Sequence, residues 1–238
     1  MYGKICILLF ISYTCLVTAD PVSFIKKCKW DDGKCNKESS QAALKIFAAG
    51  IPEYNVGVID PLTIEYVDAS SPNMKLIVTD VVVTGLSNCE VKKVQRFEDS
   101  SKIIVKLLCA AELKGKYDMK GQLFVIPIEG NGPLYAKVPK IQITAEVDLN
   151  VKSKDGNDHW LVKAWRHTFE LKDKSTVKFE NLFPDNEFLR TSTNELIAQN
   201  GNDVIIEIGS NLIKALVGKV VENIKNFFLA VPIKDLSL

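Results

Sequence analysis

Between Ser192 and Val231 the chain is too apolar for a helix that lies on a surface with one face in water. Ser192 and Glu195 make an S-x-x-E capping box and Pro232 forbids continuation, so the pattern predicts one helix over 192–231. One stripe at helical spacing reads Ile197, Val204, Ile208, Leu212, Leu216, Val220, Ile224 and Phe227; a second reads Ile206, Ile213, Val217, Val221 and Phe228. Together they leave only a narrow polar line through Glu207, Asn211, Lys214, Gly218, Glu222 and Lys225. Such a helix needs cover on most sides. Unbroken, it would be roughly 60 Å long at ~1.5 Å per residue, which calls for an elongated body, with Gly201, Asn202 and Gly209 as points for a kink or a late start. Asp203, Glu207, Lys214, Lys219 and Glu222 interrupt every window long enough to span a bilayer, and the apolar arc is too wide for a coiled-coil seam.

Strands supply the cover. A short helix is expected over 38–49, stopped by Gly50 and Pro52, and from Leu62 onward the apolar period changes to two. Leu62, Ile64 and Tyr66 alternate; Met74 to Gly85 is a valine-rich strand; Val91 to Phe97 and Ile103 to Leu113 flank a polar turn. If that hairpin centres on Asp99, Cys89 faces Cys109, either as a disulfide or as two buried thiols. Gln122 to Ile128 reads as a further strand, and Glu129 to Pro133 as a turn. Ile141, Ile143, Ala145, Val147, Leu149 and Val151 alternate with polar residues, and beyond Asp155-Gly156 the residues Leu161, Trp165, Phe169 and Leu171 share a face. Matching the two apolar faces favours an odd-length loop centred on Gly156, which sets Val147 opposite Trp165 and Ala145 opposite His167. No repeat or linker divides the series. The expected architecture is α+β: a long curved antiparallel sheet wrapped around one long C-terminal helix, with a short N-terminal helix.

Lys4 followed by an uncharged run from Ile5 to Val17 and the small residues Thr18 and Ala19 reads as a secretion signal over residues 1–19, leaving a single elongated domain over 20–238. Of 30 basic side chains Lys4 leaves with it, so 29 face 29 acidic ones. This neutral balance argues against nucleic acid as a partner and against a lipid-surface or microbe-binding role, the alternative open to such a fold. Four cysteines remain in an oxidising compartment, which favours disulfides over metal ligands. Closing the short loop between Cys28 and Cys35 is worth about 2.5 kcal/mol in chain entropy.

Catalytic chemistry is thin. The chain has two histidines and lacks G-x-S-x-G, H-E-x-x-H and P-loop patterns; Gly130-Asn131-Gly132 lacks the third glycine of a dinucleotide site. No enzyme activity, cofactor or metal is expected. His159 is expected in solvent beside its turn, whereas alternation puts His167 on the apolar face, as a core histidine or a ligand contact. Phe47, Phe179, Phe183 and Phe188 are each expected to pack in the core, although an apolar pocket is lined by the same residue types.

Several landmarks occur together: Cys28 and Cys35; Gly50-Ile51-Pro52-Glu53; Asp60-Pro61-Leu62; Val83-Thr84-Gly85-Leu86-Ser87; Tyr117 through Gly121; Leu123 through Ile128 with Gly130 and Gly132; and Phe179-Glu180-Asn181-Leu182-Phe183 with Asn186 and Leu189. In this order the mature chain resembles the insect takeout and haemolymph juvenile hormone-binding protein family. The resemblance implies a tubular lipid-binding fold, secretion into haemolymph, transport rather than catalysis, and an internal tunnel for a small hydrophobic ligand. The implied ligand is a juvenile hormone-like sesquiterpenoid, a fatty acid or a related lipid, carried by a monomer that does not insert stably into membranes. Two departures separate it from the hormone carriers: no cysteine follows Cys109, and Gly201 stands where the family has tryptophan. The expected tunnel lining is Leu44, Phe47, Trp165, Phe183, Val204, Ile208 and Leu212, with His167 as a polar contact. Its mouth is expected between the first helix and the long one, with the first helix held by few contacts.

Overall fold

The computed structural model describes residues 22–97 and 101–238, so the leader at 1–19 and the hairpin tip around Asp99 lie outside the described residues. The period-two segments form one seven-stranded antiparallel sheet: β1 (Leu62–Asp68), β2 (Met74–Thr84), β3 (Glu90–Phe97), β4 (Lys102–Leu123), β5 (Ile126–Lys154), β6 (Asn157–Leu171) and β7 (Thr176–Phe179). The long pair β4 and β5 is its spine. Along one side of β4 lie β3, paired with residues 102–108, and β2, paired with 112–121. Along the far side of β5, β6 and β7 take residues 141–154 and 134–137. Straight, β5 would reach roughly 95 Å at ~3.3 Å per residue. Register shifts bend the strands instead. One lies between Thr79 and Val82, where Asp80 has φ 52° and Val78 and Val81, three apart, are both buried.

The helices are α1 (Gly33–Ala49), α2 (Glu187–Gln199), α3 (Gly201–Ile208), α4 (Ser210–Ala230) and the single turn α5 (Ile233–Leu236). The sheet stays open, and α4 closes it. One flank of α4 packs on β6, with Trp160 against Phe228 at 5.1 Å between centroids and Trp165 against Gly218. Its other flank follows residues 55–70: Gly57 N donates to Asn223 Oδ1 (2.8 Å), Asn226 Nδ2 to the Asn55 carbonyl (2.9 Å) and Asn211 Nδ2 to the Ser70 carbonyl (2.7 Å). Of the narrow polar line expected on this helix, Glu207, Lys214 and Glu222 are exposed while Gly218 faces Trp165, so the curved sheet wraps the helix and the helix fills the gap between its two edges.

Several local expectations change. The single helix over 192–231 is a bent rod of three segments that begins earlier, because the Asn186 side chain caps α2 by accepting from Leu189 N (3.0 Å); Ser192 lies inside that helix. The first bend follows Asn200 and brings Gly201 against the Ser175 carbonyl, so close that a Cβ there would lie 2.1 Å from its oxygen. Gly209 marks the second bend, although its N–H and carbonyl both keep helical hydrogen bonds. The first helix starts at Gly33 rather than Glu38, since Asp32 accepts from Cys35 N (2.9 Å) and extends it through the cysteine. Glu129 to Pro133 is no turn; those residues pair within β5, and the chain reverses instead at Phe124-Val125, between Leu123 and Ile126.

The Asp155-Gly156 loop has two residues, both at positive φ (50° and 73°), as a type I′ hairpin turn requires. Val147 nonetheless faces Trp165 and Ala145 faces His167, because a bulge at Lys163 supplies the parity change that an odd loop would have supplied. His159 is not in solvent as expected: it is only 6% exposed, and its neighbour Trp160 5%. Successive strand residues point to opposite faces, so both faces of β6 are covered at this level.

Candidate functional site

Apolar side chains gather in three groups along the body. At the end that holds Val22 and the C-terminus, Val22, Val91, Ile103, Val147, Trp160, Val221 and Phe227 belong to one buried core. At the opposite end Leu62, Met119, Leu123, Leu182, Ile197 and Val204 belong to another. The third group lies between them: Cys89, Cys109 and Ile141 are buried, and Leu44, Leu86, Leu107, Val138, Ile143, Phe169, Leu171 and Ile213 are half-buried beside them, most of these also touching one of the end cores. Half-buried apolar residues flank the two end cores as well, so the middle group differs in how few of its members are fully buried.

Sheet register explains why these residues share a face. Cys109, Ile141 and Leu171 stand in one row across β4, β5 and β6; Leu107, Ile143 and Phe169 in the next; Val105, Ala145 and His167 in a third; Ile103, Val147 and Trp165 in a fourth. His167 is the polar member of this array. Its ring lies 5.8 Å from that of Trp165, on the same face. Burial, first, and the Lys214 ammonium of α4, second, hold its pKa below the usual imidazole value.

The expected lining residues divide among these groups. Phe183 packs half-buried against the core far from the C-terminus, which also contains Val204 (1% exposed), Ile208 (7%) and Leu212 (8%). Phe47 stands edge-on to Phe227 at 5.6 Å in the core near the C-terminus, where Trp165 also packs. Leu44 joins the middle group, and His167 borders it one row away. Val105, Leu107, Ile143, Ala145, Phe169 and Ile213 were not singled out as lining, although the alternation already put Ile143, Ala145 and Phe169 on one face. Two hollows of ≈ 250 and ≈ 180 Å³ lie over β2, β4, β5 and β7 and include none of the expected lining residues.

Disulfides join Cys28 to Cys35 (Cα–Cα 5.7 Å) and Cys89 to Cys109 (4.3 Å), the second within the middle group. The first helix is held more firmly than expected. Val91 N donates to Gln41 Oε1 (2.7 Å) while Gln41 Nε2 donates to the Cys89 carbonyl (3.2 Å), so one side chain satisfies the exposed edge of β3. Ser39 Oγ accepts from Lys26 N (3.0 Å) and donates to the Lys26 carbonyl (2.8 Å). Among the described residues no group of His, Cys, Asp and Glu side chains could hold a metal ion, and no helix is long and apolar enough to cross a membrane.

The architecture has a close solved counterpart. The crystal structure of Epiphyas postvittana Takeout 1 superposes with a TM-score of 0.84 and 28% identity, over 90% of this chain and 99% of that one. The circadian clock-controlled proteins daywake of Drosophila yakuba and Drosophila melanogaster are each 27% identical over 200 residues, 77% of this chain and 75% of theirs. The family model for haemolymph juvenile hormone binding protein matches residues 5–238. The chain belongs to that family.

Proposed function

We propose that this protein is a secreted monomeric carrier that holds one small hydrophobic ligand, a sesquiterpenoid, fatty acid or related lipid, in the middle of the tube. One observation carries the reading: between two ends rich in fully buried side chains, the apolar rows on the concave face have few. A ligand lying along Leu44, Leu107, Ile143, Phe169, Leu171 and Ile213 would cover them and gain roughly 25 cal/mol for each Å² of apolar surface removed from water. The match to a family described as juvenile hormone binding supports the same class of ligand, and residues 1–19 are the export signal of this reading. Carriage needs shape and dispersion; it needs no nucleophile or base.

Solvent extraction of the purified protein followed by mass spectrometry, with uptake of a panel of terpenoids, fatty acids and their esters by the stripped protein, tests the proposal. The expected result is one bound apolar molecule per chain. Protein that carries nothing and takes up no member of the panel would overturn it.

A further inference from the structure

The rows of the middle region are apolar except at one place, where β6 meets α4. Here the two elements run antiparallel in step: Trp160 meets Phe228, Trp165 meets Gly218, and Phe169 and Leu171 share a cluster with Ile213. His167 falls between these contacts, level with Lys214, whose charge it feels. Lys214 is exposed, with Ser210, Asn211, Val217 and Gly218 at the helical positions three and four residues away, so no acid on α4 neutralises it. It makes no ion pair or hydrogen bond among the described residues. From β5 His167 is faced by Ala145, and its same-face neighbours on β6 are Trp165 and Phe169. Two basic groups with no counter-charge thus stand at the rim of an apolar space.

We infer that Lys214 and His167 form an anion-binding end of this site, and that the ligand is a single-chain amphiphile with one carboxylate. The inference rests on the proposed carrier role and narrows its ligand class. Lys214 offers three donors and no acceptor, and neutral His167 offers one N–H; a carboxylate, with two acceptor oxygens and one negative charge, satisfies both. An alcohol or ester would leave the ammonium without a counter-charge. The chain of the amphiphile lies along the rows of Leu107, Ile143 and Phe169.

Equilibrium dialysis of the stripped full-length protein with hexadecanoate and with its methyl ester separates headgroup from chain. Wild type is expected to hold the acid about ten-fold more tightly than the ester, Lys214→Met to lose that preference while ester binding is unchanged, and Lys214→Arg to keep it. The pKa of His167, followed by its NMR shifts, is expected to rise when hexadecanoate is added and to stay put with the ester. Equal affinities in wild type, or equal losses of acid and ester in Lys214→Met, would overturn the headgroup assignment and leave the carrier intact. Wild-type protein that takes up neither compound nor any other apolar ligand would overturn both.

Discussion

Arg96 is 9% exposed, with its guanidinium stacked over Trp30 (4.7 Å to the ring centroid) and near Trp160 (5.8 Å). Burial lowers its pKa, yet a guanidinium remains protonated, and its forked donors reach the Cys28 carbonyl (2.9 Å), Ser237 Oγ (3.0 Å) and the Trp30 carbonyl (3.3 Å). One side chain therefore ties the first disulfide, the C-terminal tail and the edge strand β3. Arg96→Lys keeps the charge but loses the fork, and is expected to cost about 2 kcal/mol, with Arg96→Ala costing about 3, by urea unfolding. His167 governs a pH response. Burial and Lys214 hold its folded pKa below 6.5, so an unfolded chain takes up the proton first as pH falls. The stability that His167 contributes is full above about pH 6.5, declines as pH falls from there toward the folded pKa, and changes no further below it. His167→Phe should remove this slope from urea midpoints measured between about pH 8 and pH 5. Alternation placed His167 on the apolar face from sequence alone; its partnership with Lys214 was invisible, because nothing local relates a residue of β6 to one on α4.

Two glycines in the helical rod test how its segments dock. A Cβ at Gly201 would meet the Ser175 carbonyl oxygen, which is backbone and cannot swing aside, so Gly201→Ala should destabilise by about 3 kcal/mol as α3 is forced off β7. At Gly218 the nearest atom is Trp165 Cζ2 at 3.4 Å, an ordinary contact, and Gly218→Ala should instead stabilise α4 by about 1 kcal/mol through helix propensity. Thermal unfolding of the two variants should move in opposite directions. Element types were legible because they depend on short-range periodicity; boundaries were less so. Asn186 and Ser192 are both good caps by residue type, and only the tertiary path decides which caps a helix. Likewise the mismatch of apolar faces across Asp155-Gly156 was real, but a bulge at Lys163 and an odd loop answer it equally well in one dimension.

Across the whole molecule, the proposed carrier role requires that the two ends, rich in fully buried side chains, and the middle, which has few, respond differently to mutation. Ile197→Ala, in the core far from the C-terminus, should lower stability by about 2–5 kcal/mol and leave ligand uptake unchanged. Ala145→Phe, in the row beside Ile143, should abolish uptake by filling the middle while leaving the urea midpoint at or above that of wild type. Equal stability losses would mean that the middle is as tightly packed as the ends.

The class of fold was legible in local pattern, since an over-apolar helical stretch needs cover and the period-two material able to provide it precedes it in the chain. By itself the sequence also determined which strand faces are apolar, because alternation is local. That Cys89 comes opposite Cys109 was decided in three dimensions: Phe97 pairs with Lys102, which centres the hairpin half a residue past Asp99, and a bulge at Lys92 restores the register that a centre on Asp99 would have given. The tertiary structure alone decided that the sheet stays open and that α4 seals its seam, since that depends on where bulges bend β4 and β5. It alone decided which of the apolar residues are fully buried and which only half-buried, because the packing of any one of them is set by neighbours from other elements. The same reason governs Arg96 and the pair His167 and Lys214: their environments are assembled from segments far apart in the chain, and no periodicity records which segments will meet.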